Sequence, residues 1–130
     1  MDEVIPMSLK ALVVDDSGTI RAILREILEN FGFEVADTED GASALDWLKK
    51  HGKVDVLCLD WNMPNMTGLQ VVRYLRSDKN FQSMPILMCT SETELERVIE
   101  ALQEGANEYI MKPFDQEAIG EKLTMMGILA

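Results

Sequence analysis

Five short runs dominated by apolar residues, each giving way to polar residues and then to a helix-forming segment, constrain this chain more than any other feature. The most telling covers residues 54–64, Val-Asp-Val-Leu-Cys-Leu-Asp-Trp-Asn-Met-Pro. Five of its first six residues are apolar, with no sustained polar alternation. Such a run suits a strand buried on both faces, as in a parallel sheet. The other runs are 9–15, 33–36, 85–89 and 108–111.

Helical signals fill the gaps. After the first run, Ser17 stands as an N-cap, and apolar residues recur at 20, 23, 24, 27, 28 and 31, with Gly32 past the end. That 3.6-residue stripe predicts an amphipathic helix. Asp40 caps a second helix through Ala44, Leu45 and Leu48, closed by Gly52. Residues 67–76 carry Leu69, Val72 and Leu75 or Arg76 at helical spacing. Ser91-Glu92-Thr93-Glu94 reads as a capping box for a stripe of Leu95, Val98, Ile99 and Leu102 that ends at Gly105. Asp115 caps a last helix through Ile119, Leu123 and Met126. Five βα units predict an α/β fold, a parallel sheet with helices on both faces. Right-handed crossovers restrict it to doubly wound forms.

In such a sheet, ligands bind in the crevice at the carboxyl ends of the strands. The polar residues arriving there are Asp15 and Asp16, Asp60, Thr90, and Lys112. Asp60 is expected to be presented to the crevice rather than buried within its strand. Taken singly, each is an ordinary turn or cap residue; their coincidence at one edge is what points to chemistry. Two carboxylates about 4 Å apart repel by about 4 kcal/mol at an effective dielectric near 20. The edge must therefore protonate or take a cation. Hard oxygen donors favour Mg²⁺ or a similar ion. A cation and a lysine facing a carboxylate form an arrangement for phosphoryl transfer, with the carboxylate as nucleophile.

The whole chain has 130 residues, 47% of them hydrophobic, and a formal charge of −11. That suits one domain with a substantial core. It argues against a nucleic-acid partner, which needs a basic face, and against an anionic membrane surface. No apolar run approaches the roughly 18 residues of a membrane-spanning helix. Residues 1–8 read as a short acidic leader without the features of a signal peptide, so a cytoplasmic protein is the default. Cys58 and Cys89 lie in apolar runs and are expected as buried, reduced thiols. His51 sits at a helix end, where it caps or faces solvent. Met125 and Met126 are candidates for a partner surface.

These residues also carry a resemblance. Val-Val-Asp-Asp-Ser (13–17), Leu-Asp-Trp-Asn-Met-Pro (59–64) with Gly68, Thr90, and Lys112-Pro113-Phe114 resemble, in order and spacing, the response-regulator receiver domain. The resemblance covers residues 9–130, with no output domain. It implies a flavodoxin-like fold with strand order 2-1-3-4-5. It implies that Asp60 accepts a phosphoryl group from a sensor histidine kinase or phosphotransfer protein. Asp15, Asp16, Asp60 and the backbone carbonyl of Asn62 would hold Mg²⁺ (or Mn²⁺). Lys112 would contact the phosphoryl group, Thr90 would turn to hydrogen-bond it, and the Lys112–Pro113 bond would be cis. Tyr109 would be the switch aromatic, on an output face made by the fourth helix, fifth strand and fifth helix, with Glu94, Ile99 and Met111 near it. Among receivers the chain is similar to the stand-alone chemotaxis type, which implies a monomer with an output target such as the flagellar motor switch; stand-alone receivers also serve other phosphorelays, and a single-domain receiver of a non-chemotaxis phosphorelay is the alternative. Glu92 stands two residues after Thr90, as in that type. Ser91 departs from the usual alanine after the threonine.

Two other readings fit less well. A haloacid-dehalogenase-like phosphatase wants an acid two residues after the nucleophile, where this chain has Asn62. A flavodoxin-type carrier wants Ser, Thr and Gly after the first strand, where Asp15 and Asp16 would repel a phosphate. The expectation is a phosphoacceptor with slow self-dephosphorylation, not an enzyme acting on an outside substrate.

Overall fold

The computed structural model describes residues 8–91 and 95–130. Its elements alternate as expected: β1 (Leu9–Val14), α1 (Gly18–Asn30), β2 (Phe33–Thr38), α2 (Gly41–His51), β3 (Val56–Asp60), α3 (Gly68–Ser77), β4 (Ile86–Thr90), α4 (Leu95–Gln103), β5 (Glu108–Met111) and α5 (Gln116–Met125). All strand pairs are parallel, in the order β2-β1-β3-β4-β5. β2 runs two residues beyond the expected 33–36, to Thr38. Pairing with β1 explains this, because the register continues to Val14↔Thr38.

β3 and β4 are buried at every position; their apolar residues require this, and the polar residues that end them, Asp60 and Thr90, are covered as well. Side chains alternate between two cores. Leu12, Val14, Leu57, Leu59, Ile86 and Met88 face the core shared with α2, α3 and α4. Ala11, Val13, Val56, Cys58, Leu87, Cys89 and Ile110 face the core shared with α1 and α5. Cys58 and Cys89 are free and buried. The Cys89 thiol is pushed up in pKa by its hydrogen bond with Cys58 and then by burial, which makes it unreactive.

Local chemistry sets the helix ends. Ser17, Asp40 and Asp115 accept N-cap bonds from Ile20, Ser43 and Ala118. Thr67 and Gln70 form a reciprocal capping box on α3; this T-x-x-Q signal is legible in the sequence, although only a helix start was expected there. The box expected over 91–94 lies outside the described residues beyond Ser91. Gly32, Gly52 and Gly105 end α1, α2 and α4 at positive φ, the region glycine enters without steric cost.

Arg76, which the spacing left as an alternative to Leu75 on the apolar stripe, is instead a tie between loops. Its guanidinium donates to the carbonyls of Gly105, Phe81 and Met84 and to Asn107 Oδ1, at 2.7–3.0 Å. Asn107 Oδ1 also accepts the Ile86 amide at 2.8 Å. Arg76→Met should strand these acceptors and lower the unfolding free energy by about 2 kcal/mol. Urea denaturation measures it; a change within about 0.5 kcal/mol would show that water replaces the arginine at no cost.

Candidate functional site

Register brings the site together. β1 and β3 pair Val14 with Leu59, so Asp15 and Asp60 are the next residues on neighbouring strands. β4 and β5 pair Thr90 with Met111, one residue short of Lys112. The Lys112 amide donates to the Thr90 carbonyl at 2.7 Å. Parity then sorts the side chains. Asp15, Asp60 and Lys112 continue the row that faces α1 and α5, whereas Trp61, Thr90 and Tyr109 continue the row that faces α2, α3 and α4.

Asp15 is 1% exposed. Its Oδ1 accepts the Ser17 amide at 2.9 Å and its Oδ2 accepts Lys112 Nζ at 2.8 Å. Lys112 Nζ also donates to Asp60 Oδ1 at 3.4 Å. Asp16 is exposed. Carboxylate oxygens of Asp15, Asp16 and Asp60 all lie within 4.8 Å of one another. The Lys112–Pro113 peptide is cis.

Asp60 closes β3 but, contrary to the expectation from its place at the end of an apolar run, is not openly presented: the residue is only 5% exposed. It lies beneath Lys112 and beside Asp15, and the chain beyond it folds back so that the Gly68 amide bonds the Trp61 carbonyl at 2.9 Å. A Cβ on Gly68 would stand 2.6 Å from the Asp60 carbonyl oxygen, which accounts for the glycine there. Burial, then the charge of Asp15, raises the Asp60 pKa to about 6, against the opposing pull of Lys112 and the Asn62 amide. Burial opposes the charge on Lys112, but its hydrogen bond to Asp15 and the charges of Asp60 and Asp15 outweigh it and raise its pKa.

One lysine thus leaves the edge short of positive charge. Three hard oxygen donors, two of them buried, with residual negative charge are what a divalent cation such as Mg²⁺ binds, so these residues fit one. Asn62 is exposed and two residues past Asp60, and holds no acid for proton donation.

Thr90 is fully buried, and its hydroxyl donates to the Ser91 carbonyl at 3.4 Å. Ser91 is half-buried, and Glu92 and Glu94 lie outside the described residues. Trp61 is buried, with the Arg97 guanidinium 6.0 Å from its ring. Its indole Nε1 has no partner among the described residues. Tyr109 is half-buried, with Lys122 Nζ 4.8 Å above its ring. Ile99 is exposed and Met111 half-buried. Met125 is exposed, while Met126 packs against the α1/α5 core and leaves the candidate partner surface. His51 is exposed and stacks on Trp47, away from the site. Arg97, Glu108 and Lys122 were not singled out from the sequence, since their contacts depend on tertiary packing alone. No helix among the described residues is long and apolar enough to cross a membrane.

Comparison with known proteins agrees with this geometry. The family model described as the response regulator receiver domain matches residues 11–124. Chemotaxis protein CheY-3 of Vibrio cholerae is 40% identical over 124 residues, covering 95% of each chain. The CheY homolog of Campylobacter jejuni is 46% identical over 116 residues, 88% of this chain and 89% of that one. A solved structure of Vibrio cholerae chemotaxis protein CheY4 superposes with a TM-score of 0.84 at 37% identity, covering 92% of this chain and 98% of that one. A family match across nearly the whole chain, with a superposable five-stranded sheet, leaves one conclusion: the chain belongs to the response regulator receiver domain family, the receiving component of two-component signalling.

Proposed function

We propose that Asp60 is the phosphoacceptor, charged from the phosphohistidine of a sensor histidine kinase or phosphotransfer protein. The observation that carries this is the shared lysine: Lys112 Nζ lies 2.8 Å from Asp15 and 3.4 Å from Asp60, within a group of three carboxylates. Asp60 attacks phosphorus through a carboxylate oxygen as the bond to the donor nitrogen breaks, and Lys112 neutralises charge on the transferring oxygens. Asp15, Asp16, Asp60 and the Asn62 carbonyl would hold Mg²⁺ (or Mn²⁺), whose charge, when bound, offsets that of the donor's phosphoryl oxygens.

Phosphorylation adds charge and acceptor oxygens beside Thr90. Thr90 turns toward the new oxygens and Tyr109 follows, altering the face made by α4, β5 and α5 for an output partner. The names of the CheY relatives support a place in chemotaxis, with an output target of the flagellar-motor-switch kind. The protein acts as a cytoplasmic phosphoacceptor rather than as an enzyme on outside substrates; Asn62 in place of an acid supports that reading.

Incubation with Mg²⁺ and acetyl phosphate should add one phosphoryl group per chain by intact mass, with a change in Trp61 emission. Asp60→Asn should take none, and chelation of Mg²⁺ should largely stop uptake. Labelling of Asp60→Asn at another residue, or full labelling without metal, would refute the assignment.

A further inference from the structure

A contact on the far side of β5 from the carboxylates bears on how the switch is set. Tyr109 packs half-buried against the core shared with α2, α3 and α4. Lys122, one turn from the end of α5, lies with its Nζ 4.8 Å from the centre of that ring. The lysine is not loose: its Nζ donates to Glu108 Oε1 at 3.1 Å. The same carboxylate oxygen accepts the Tyr109 backbone amide at 3.0 Å. The Lys122 and Glu108 side chains are only 24% and 21% exposed. A cation on a ring face, a carboxylate holding the cation, and a backbone amide holding the carboxylate thus close a loop around one residue.

We propose that Lys122, held by Glu108, is a positioning residue that latches the Tyr109 ring in its present place and so sets how readily the receiver switches. This rests on the phosphoacceptor reading above. A cation–π contact weakens steeply as the ring leaves the cation. Any rearrangement of Tyr109 therefore gives up that contact in only one of the two states. A contact made in one state biases the equilibrium toward that state, and a ligand that favours the other must overcome it. By linkage, loosening the latch tightens binding of whatever favours the switched state. The latch also ties β5 to α5, two of the three elements of the proposed output face, so the ring's position is coupled to that surface directly. Neither Glu108 nor Lys122 touches the carboxylate cluster, so the pair can be altered without disturbing the chemistry at Asp60.

The test uses the full chain with Mg²⁺ and beryllium fluoride, which stands in for a phosphoryl group on a carboxylate and gives an equilibrium readout. Lys122→Met should bind it about two- to fivefold tighter than the wild type, the factor that an exposed cation–π contact supports. Its Tyr109 ring resonances should already be shifted before any addition. Lys122→Arg keeps both the ring contact and the ion pair and should match the wild type, and Glu108→Gln should fall between. Equal affinity in Lys122→Met and wild type overturns the latch, as does Lys122→Arg behaving like Lys122→Met. Failure of the phosphoacceptor reading looks different: the wild type would then bind no more tightly than Asp60→Asn, and both inferences would fall together.

Discussion

Metal-free Asp60→Asn is expected to be more stable than the wild type at pH 7.5, by about 2–3 kcal/mol, and the gap should close near pH 4. The Asp60 pKa is raised to about 6, mainly by burial, against about 3.9 in an unfolded chain. A carboxyl raised in the folded state holds its proton more tightly there than in the unfolded chain. Its contribution is fully present below the unfolded value and is lost as pH rises through the folded value. Two units correspond to about 3 kcal/mol, so above about pH 7 the ionised Asp60 costs the metal-free fold that amount. The asparagine keeps the shape and removes the charge. Groups away from the cluster are common to both proteins, so the difference between two urea-denaturation series reports Asp60 together with its coupling to Asp15 and Lys112. A cation that binds the carboxylates should stabilise the wild type strongly and the variant weakly. If Asp60→Asn proves less stable at pH 7.5 in chelator, the carboxylate carries no uncompensated charge and the case for a cation site weakens.

The like-charge part of that destabilisation was legible in the sequence, but the burial that dominates it was not. The alternation of apolar runs and capped stripes determines the five units, because a buried parallel strand and an amphipathic helix leave different periods. Asp60 at the end of one run and Lys112 at the end of another were therefore legible as edge residues. What periodicity cannot carry is depth. Whether Asp60 is presented or covered depends on the Lys112 side chain and on the return of the chain through Gly68, both set by tertiary contact. The same limit hid Lys122. On the α5 pattern it is an ordinary polar-face lysine, and its meaning comes from Glu108 and Tyr109 on a neighbouring strand. Arg76 misled in the opposite sense: its spacing matched an apolar stripe, but its guanidinium serves loop carbonyls that no local pattern places within reach.

Replacing Lys112 by methionine should have the opposite sign to replacing Asp60, and the pair should not add. Lys112 Nζ bonds Asp15 at 2.8 Å and reaches Asp60 at 3.4 Å, and both carboxylates are almost wholly buried. Removing one partner of a buried ion pair typically costs about 3–5 kcal/mol, because the other charge stays behind. The lysine is itself 22% exposed, so the lower end, about 3 kcal/mol at pH 7.5 without metal, is expected. Acidification protonates the carboxyls and should shrink the loss. With Lys112 gone the Asp60 carboxylate loses its counter-charge, so Asp60→Asn should stabilise the Lys112→Met background by at least about 1 kcal/mol more than it stabilises the wild type, and that excess is the coupling. Cation binding and phosphoryl uptake should then part company. With the lysine gone, the carboxylates are more negative and Mg²⁺ should protect Lys112→Met against urea at least as well as the wild type. Uptake from acetyl phosphate should nonetheless slow by at least about tenfold, since a fixed donor to the transferring oxygens is lost. Additive stabilities with unchanged uptake would mean that Lys112 is a passive surface cation, and the shared-lysine geometry would no longer support Asp60 as the acceptor.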